Sequence, residues 1–251
     1  MNVTNQKFKP IISVCGKGGV GKTAFSALLA EVFLREALTP LLLVDADPVG
    51  GLISAIGEKT AGTLAAVKEK FIQETRERGK EGAAEAAENL SYFILKALIE
   101  RKGYSLLAMG HTTKKGCFCS ANTLLRSALD EIIHAYSAVI IDAEAGIEQI
   151  NREVTHHVNQ VFVVIDASRR SLDTLKSIAD MVDPTLISVV VNRYREGDPL
   201  IIPDGFIPYG TIPEDETLRQ YDRQGIPLWN LPADNAALHA VRKISRSIIP
   251  W

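Results

Sequence analysis

Eight residues near the start of the chain carry the densest chemistry: Gly16-Lys17-Gly18-Gly19-Val20-Gly21-Lys22-Thr23. They fit the pattern G-x-x-x-x-G-K-[ST]. Glycines let successive backbone N–H groups turn inward around a di- or triphosphate, and a helix beginning near Lys22 adds its positive end. Lys22 would then reach the β- and γ-phosphates, and the Thr23 hydroxyl would ligate Mg²⁺. A glycine-rich turn without a ligand is the plain alternative. Against it, a short apolar run (11–15) precedes the loop and a helical pattern follows, the context that a phosphate loop needs. Two further segments end apolar runs in carboxylates. LLLVDADP (41–48) supplies Asp45 and Asp47, and AVIIDAEAG (138–146) supplies Asp142. The ends of parallel strands are where an open sheet presents its ligand site. Each acid alone reads as a solvated loop carboxylate; together, downstream of the loop, they read as its partners.

A base-reading segment follows the run ISVVV (187–191). It continues as Asn192-Arg193-Tyr194-Arg195. Guanine recognition uses Asn-Lys-x-Asp, and the position needing that Asp holds Arg195, which cannot accept a hydrogen bond. Asn192 can still bond the edge of adenine, so the expected nucleotide is ATP. A second kind of chemistry sits at Cys117-Phe118-Cys119, in the loop KKGCFCSAN just before a helical pattern at 122–136. A helix N-terminus favours thiolates. Two sulfurs are too few for a closed tetrahedral site, but a symmetric dimer would supply the missing pair. Four sulfurs suit Zn²⁺, or Ni²⁺ in a tetrahedral or square-planar arrangement. From the pair alone, an incidental C-x-C with free thiols stays open. His111 reads as an auxiliary ligand or an ordinary loop histidine, and Cys15 as a small buried apolar residue. His156 and His157 have no partner at ligand spacing.

The elements that must position these residues alternate. Strand patterns fall at 11–15, 41–45, 105–109, 138–142, 161–165, 187–191 and 205–209. Helical patterns fall near 22–37, 64–78, 83–101, 122–136, 147–158, 170–182, 214–224 and 235–248. Continuous apolar runs suit strands covered on both faces. The expected fold class is therefore α/β, a doubly wound, mostly parallel sheet. The chain reads as one domain, 1–251, with a polar tail at 1–9 and a helical insertion at 60–103. At 251 residues, 46% hydrophobic and 23% charged, it can bury a sizeable core. Lys plus Arg is 28 against 30 Asp plus Glu, a balance that argues against nucleic acid as a partner. Three cysteines are too few for a disulfide scaffold and fit a reducing, cytoplasmic setting. No apolar stretch approaches the roughly 20 residues that span a bilayer, so no membrane partner is expected.

The loop K-G-G-V-G-K-T resembles the deviant Walker A of the MinD, ParA, nitrogenase iron protein and arsenite-pump ATPases. That resemblance implies that Lys17 acts in trans, reaching the partner's nucleotide when ATP holds two subunits face to face. It also implies that Asp47 orients or deprotonates the attacking water and that Asp45 supports the Mg²⁺ region. Asp142 would hold a Mg²⁺-bound water, and Gly146 would sense the γ-phosphate through its backbone. The segment GTIPEDETLR (210–219) resembles the I-P-E-D segment of MinD-like ATPases, which places adenine near Pro213 and Glu214. The implied nucleotide set is Gly16 to Ala24 with Asn192, Pro213 and Glu214. Ala24 departs from the second Thr or Ser often found there, but Thr23 keeps the Mg²⁺ ligand.

The strings GCFCSANTLLR (116–126) and IDAEAGIE (141–148) narrow this further. They look like the CooC and AcsF type of nickel-insertion ATPase, which matures carbon monoxide dehydrogenase and acetyl-CoA synthase. The implied state is a homodimer, formed on nucleotide or metal binding, that holds one Ni²⁺ or Zn²⁺ through Cys117 and Cys119 of each subunit. Hydrolysis of ATP to ADP would couple that metal to a nickel-containing client enzyme. Three other readings stand beside it. A positioning ATPase of the MinD or ParA type would use the basic, partly amphipathic end AALHAVRKISRSIIPW on a membrane, although the spacing of Leu238, Val241, Ile244 and Ile248 is that of a core helix. An iron–sulfur donor like the nitrogenase iron protein would need a cysteine in DAEAGIEQI, which has none. An amidotransferase of the cobyrinic acid synthase type lacks the length for a glutaminase domain.

Overall fold

Aliphatic runs that alternate between two covered faces form one eight-stranded sheet in the computed structural model of the chain. The structure describes residues 9–47, 49–59, 62–67, 69, 90–110, 129–143, 157–200 and 202–248. The strands are β1 (Ile11–Cys15), β2 (Leu41–Asp45), β3 (Leu98–Arg101), β4 (Tyr104–Ala108), β5 (Ala138–Asp142), β6 (Gln160–Ile165), β7 (Ile187–Tyr194) and β8 (Pro208–Pro213). Their order is β3-β4-β2-β5-β1-β6-β7-β8. Every neighbouring pair is parallel except β3 with β4.

Alternate residues divide the core into two layers. Ile12, Val14, Leu41, Leu43 and Ile140 face one cluster, completed by α1 (Lys22–Arg35), α2 (Gly51–Ala55) and the later helix that begins at Ala236. Cys15, Leu42, Val44, Val139 and Ile141 face the other, completed by residues such as Leu129, Leu175 and Ile178. Helices on both faces are the reason the central strands are apolar throughout rather than alternating. The sheet is therefore doubly wound and α/β, as the sequence patterns predict.

Further helices are α3 (Leu90–Ala97), α4 (Arg169–Ala179), α5 (Glu216–Gln224) and α6 (Ala236–Ser245), and residues 64–67 and 129–132 are helical as well. Four expectations differ from what is observed. The helical pattern at 83–101 ends at Ala97, and Leu98–Arg101 form an antiparallel edge strand on β4, so the 60–103 insertion is not wholly helical. Lys102-Gly103 makes the two-residue turn between them, with Gly103 at φ 92°. The strand expected at 205–209 lies instead at Pro208–Pro213. There the chain turns at Pro203–Phe206, Phe206 packs on the second cluster, and β8 pairs with the end of β7. The 122–136 pattern ends in a 3-10 turn at Ile133–Ala135. Most of the 147–158 pattern lies outside the described residues, and the two described residues, His157 and Val158, are not helical.

Candidate functional site

The loop between β1 and α1 stands at the carboxyl end of the sheet, between strands whose connections diverge to either side of β1. Its backbone leaves no choice of residue at two positions. Gly16 has φ 140°, and a Cβ there would collide with the carbonyl oxygen of Val164 on β6. Gly21 has φ 97° and a Cβ would collide with the Asn192 side-chain nitrogen. α1 begins at Lys22 with Gly21 as its N-cap and no side chain bonding its first N–H groups. Ser168, Asp215 and Asn235 do cap α4, α5 and α6 in that way. A helix start of this kind is fitted for an anion. Lys22 is buried, and its ammonium donates to the Lys17 carbonyl at 3.2 Å.

The carboxylates gather beside this loop because β2 and β5 are adjacent and in register. Asp45 pairs with Asp142, one from each strand end. The Thr23 hydroxyl donates to Asp142 Oδ2 at 2.7 Å, and the Ser26 hydroxyl donates to Oδ1 at 2.9 Å. Asp45 accepts the backbone N–H groups of Asp47 at 3.2 Å and Ile53 at 3.1 Å. Burial pushes Asp45 up to about 7, partly offset by the Ile53 N–H and reinforced by the neighbouring Asp142. Burial likewise pushes Asp142 up to about 6, against the hydrogen bonds from Thr23 and Ser26. Asp47 is half-buried at the start of the loop that follows β2, and its carboxylate accepts the Val49 N–H at 2.8 Å.

Lys17 leaves the loop in another direction. Its ammonium donates to Ser168 Oγ at 3.4 Å, and the Ser168 hydroxyl in turn donates to Asp166. Burial would raise Asp166, but hydrogen bonds from Ser168 and Ser171 and the charge of Lys17 together hold its carboxyl below the usual range. On the opposite flank a cleft runs along the ends of β7 and β8, lined by Gly21, Ala24, Asn192, Arg193, Pro213 and Arg219 among others. Asn192 donates through Nδ2 to the Val20 carbonyl at 2.7 Å and accepts the Arg193 N–H at 2.9 Å. Glu214 donates its backbone N–H to the Tyr194 carbonyl at 3.0 Å, and its carboxylate is paired with Arg195 and Arg219. That N–H and that carboxylate are therefore both engaged within the chain.

The structure thus brings together Gly16, Lys17, Gly18, Gly19, Val20, Gly21, Lys22, Thr23 and Ala24 with Asp45, Asp47 and Asp142. It sets Asn192, Pro213 and Glu214 on the cleft beside them. Cys117, Cys119, His111 and Gly146 lie outside the described residues. Among the described residues no group of three or more His, Cys, Asp or Glu side chains is placed to hold a metal ion. His157 pairs with Asp130 at 2.6 Å. Sequence reasoning missed four residues that touch the loop or its acids: Ser26, Ser168, Asp166 and Arg193. Ser26 is the most accessible to it, being one helical turn beyond Thr23 and hence on the same face of α1. Ser168 with Asp166, and Arg193, meet the loop only through the order of the strands.

Residues 9–192 match the family model described as an AAA domain. An uncharacterised ATP-binding protein of Methanocaldococcus jannaschii is 36% identical over 252 residues, covering 95% of this chain and 98% of its own length. The carbon monoxide dehydrogenase accessory protein CooC of Rhodospirillum rubrum is 31% identical over 253 residues, covering 92% and 94%. Among solved structures, the MinD cell division protein of Aquifex aeolicus superposes with a TM-score of 0.68 at 21% identity, covering 95% of this chain and 96% of that one. A ParA family ATPase from Chlorobium tepidum gives 0.68 at 17% identity, covering 94% and 98%. At those identities the two structures bear on the fold alone, and the fold is that of the MinD- and ParA-like P-loop ATPases.

Proposed function

We propose that this chain, which belongs to the AAA-domain family, is a nucleotide-driven metal carrier. It binds and hydrolyses ATP with Mg²⁺, and two copies close face to face on the nucleotide. The closed pair holds Ni²⁺ or Zn²⁺ between Cys117 and Cys119 of each subunit. It delivers nickel in the cytoplasm to an enzyme of the carbon monoxide dehydrogenase or acetyl-CoA synthase type. The observation that carries the reading is the union of an uncapped glycine loop with two strand-end carboxylates, one of them holding Thr23. The full-length relation to CooC supports the choice of client.

Lys22 and the N–H groups of residues 16–23 bind the phosphates, and Lys17 of the partner copy adds charge at the transferred group. Asp47 positions the attacking water in line. Gly146 senses the γ-phosphate through its backbone. Thr23, Asp45 and Asp142 offer oxygen donors only, a set that suits Mg²⁺, which would neutralise the phosphate charge when bound. The cleft at Asn192, Pro213 and Glu214 takes the adenine. If nucleotide closes the dimer and the dimer completes a four-sulfur site, ATP and metal must change each other's affinity by the same factor.

The test is metal content per subunit with and without Mg-ATP analogue, read with molar mass from light scattering. The expected result is one ion per two subunits in the dimeric, nucleotide-loaded species, lost in the double variant Cys117→Ser/Cys119→Ser. Unchanged metal binding in that variant, or a monomeric loaded species, ends the carrier reading and leaves a plain ATPase. A positioning ATPase is the second reading, compatible with the MinD- and ParA-like fold. No helix among the described residues is long and apolar enough to cross a membrane. Ala237, Leu238, Val241 and Ile244 of α6 are buried in the core, which occupies the face an amphipathic anchor would offer to lipid. Sedimentation with anionic liposomes decides it, since ATP-dependent pelleting would favour the positioning ATPase.

A further inference from the structure

β7 and β8 change register between Val191 and Tyr194, so Asn192 and Arg193 stand in a bulge of the ladder. Bulges re-aim side chains, and here both aim at the glycine loop. Asn192 Nδ2 donates to the Val20 carbonyl at 2.7 Å, and an Arg193 guanidinium N–H donates to the Gly19 carbonyl at 2.9 Å. Arg193 does this from φ 56°, left-handed backbone that a long side chain adopts only at a cost. Of the described residues only Ala37 shares that departure among non-glycines.

The consequence follows from peptide geometry. In a trans peptide the carbonyl of one residue and the N–H of the next point to opposite sides. Holding the Gly19 carbonyl toward β7 aims the Val20 N–H away from it, and holding the Val20 carbonyl does the same for the Gly21 N–H. Gly18 and Gly19 are exposed and a Cβ on either would meet nothing, so the Arg193 bond tethers this end of the loop, while the buried Val20 side chain anchors the next residue. We propose that Arg193, together with Asn192, is a positioning strut that pre-organises the N–H groups of the loop for the polyphosphate of the nucleotide, and that its strained backbone is retained for that purpose. The inference rests on residues 16–23 being a phosphate cradle, and it assigns Arg193 to the phosphates rather than to the base whose cleft it also lines.

Calorimetric titration of the full chain with tripolyphosphate and, separately, with Mg-ADP tests this. Arg193→Ala should weaken both by a similar factor, about 5- to 10-fold for one lost hydrogen bond to the loop. In steady-state hydrolysis KM for ATP should rise while kcat changes less than about threefold. Arg193→Gly removes the guanidinium and the strain together, so it should bind as weakly as Arg193→Ala yet melt at a higher temperature. Weakening confined to Mg-ADP would make Arg193 a base contact and overturn the strut, as would unchanged binding of both ligands. A wild-type chain that binds neither ligand would refute the cradle itself, a separate failure visible before any variant is made.

Discussion

Asp45 illustrates how a single side chain at the proposed site can oppose folding when it ionises. It is fully buried, and burial pushes it up to about 7, whereas an unfolded aspartate titrates near 3.9. Between those values the folded chain holds a proton that the unfolded chain has lost. Stability therefore falls as pH rises through that window, because the native state binds the extra proton. The contribution is fully present below about pH 4 and gone above about pH 7. Asp142, pushed up to about 6, acts in the same sense over a narrower range. Urea titrations of the ligand-free protein at pH 5 and pH 8 should show this as a decline larger in wild type than in Asp45→Asn. The expected difference between the two proteins is roughly 2–4 kcal/mol. Equal declines would mean that Asp45 is ionised and well solvated in the folded chain. Lys17 supplies the opposite example, an ammonium with a defined resting place. Its ammonium donates to Ser168, which donates on to Asp166, and any role in trans requires that contact to be exchanged for a phosphate.

At the level of elements, the glycine loop works because β6 and β7 come close behind it. Gly16 presses on Val164 of β6, where a side chain would meet unyielding backbone. Gly16→Ala should therefore lower stability by about 2–4 kcal/mol in urea denaturation. Gly18→Ala meets nothing and has no left-handed backbone, so it should stay within about 0.5 kcal/mol of wild type. A similar loss for both would refute the packing account. The loop, the central strands and the strand-end acids are legible in the sequence because each depends on local pattern: glycine spacing, an apolar run, an acid at its end. Other features depend on partners far along the chain. The edge strand Leu98–Arg101 carries Glu100 and Arg101, both exposed, as edge strands do, and it follows a helix without a break, so its pattern continues the helical one. Pro208–Pro213 becomes a strand because β7 extends to Tyr194 and offers a ladder, against the pull of the apolar run just before it. Arg193 and Ser168 reach the loop across about 150 to 170 positions of sequence, and no spacing rule registers such a meeting.

For the whole molecule the decisive question is whether the site is complete within one copy. The described chain places Lys22, Thr23 and Asp142 in mutual reach, whereas Lys17 rests on Ser168, the N-cap of α4, on the far side of β1 from β5 and Asp142. If Lys17 completes the partner's site, two inactive variants should rescue each other. Lys17→Ala keeps its own cradle but cannot serve its partner, while Lys22→Ala loses its cradle but can still donate Lys17. In an equimolar mixture about half the dimers are mixed, and each mixed dimer has one complete site of two. Hydrolysis should then recover to as much as about a quarter of the wild-type rate, although each variant alone is inactive. Lys17 acting only within its own chain predicts no recovery at any mixing ratio. The same mixture separates catalysis from assembly. Light scattering on Lys17→Ala with Mg-ATP should still show dimers if the lysine acts on the reacting phosphate alone. It should show monomers if the charge it brings across the interface is what draws two copies together.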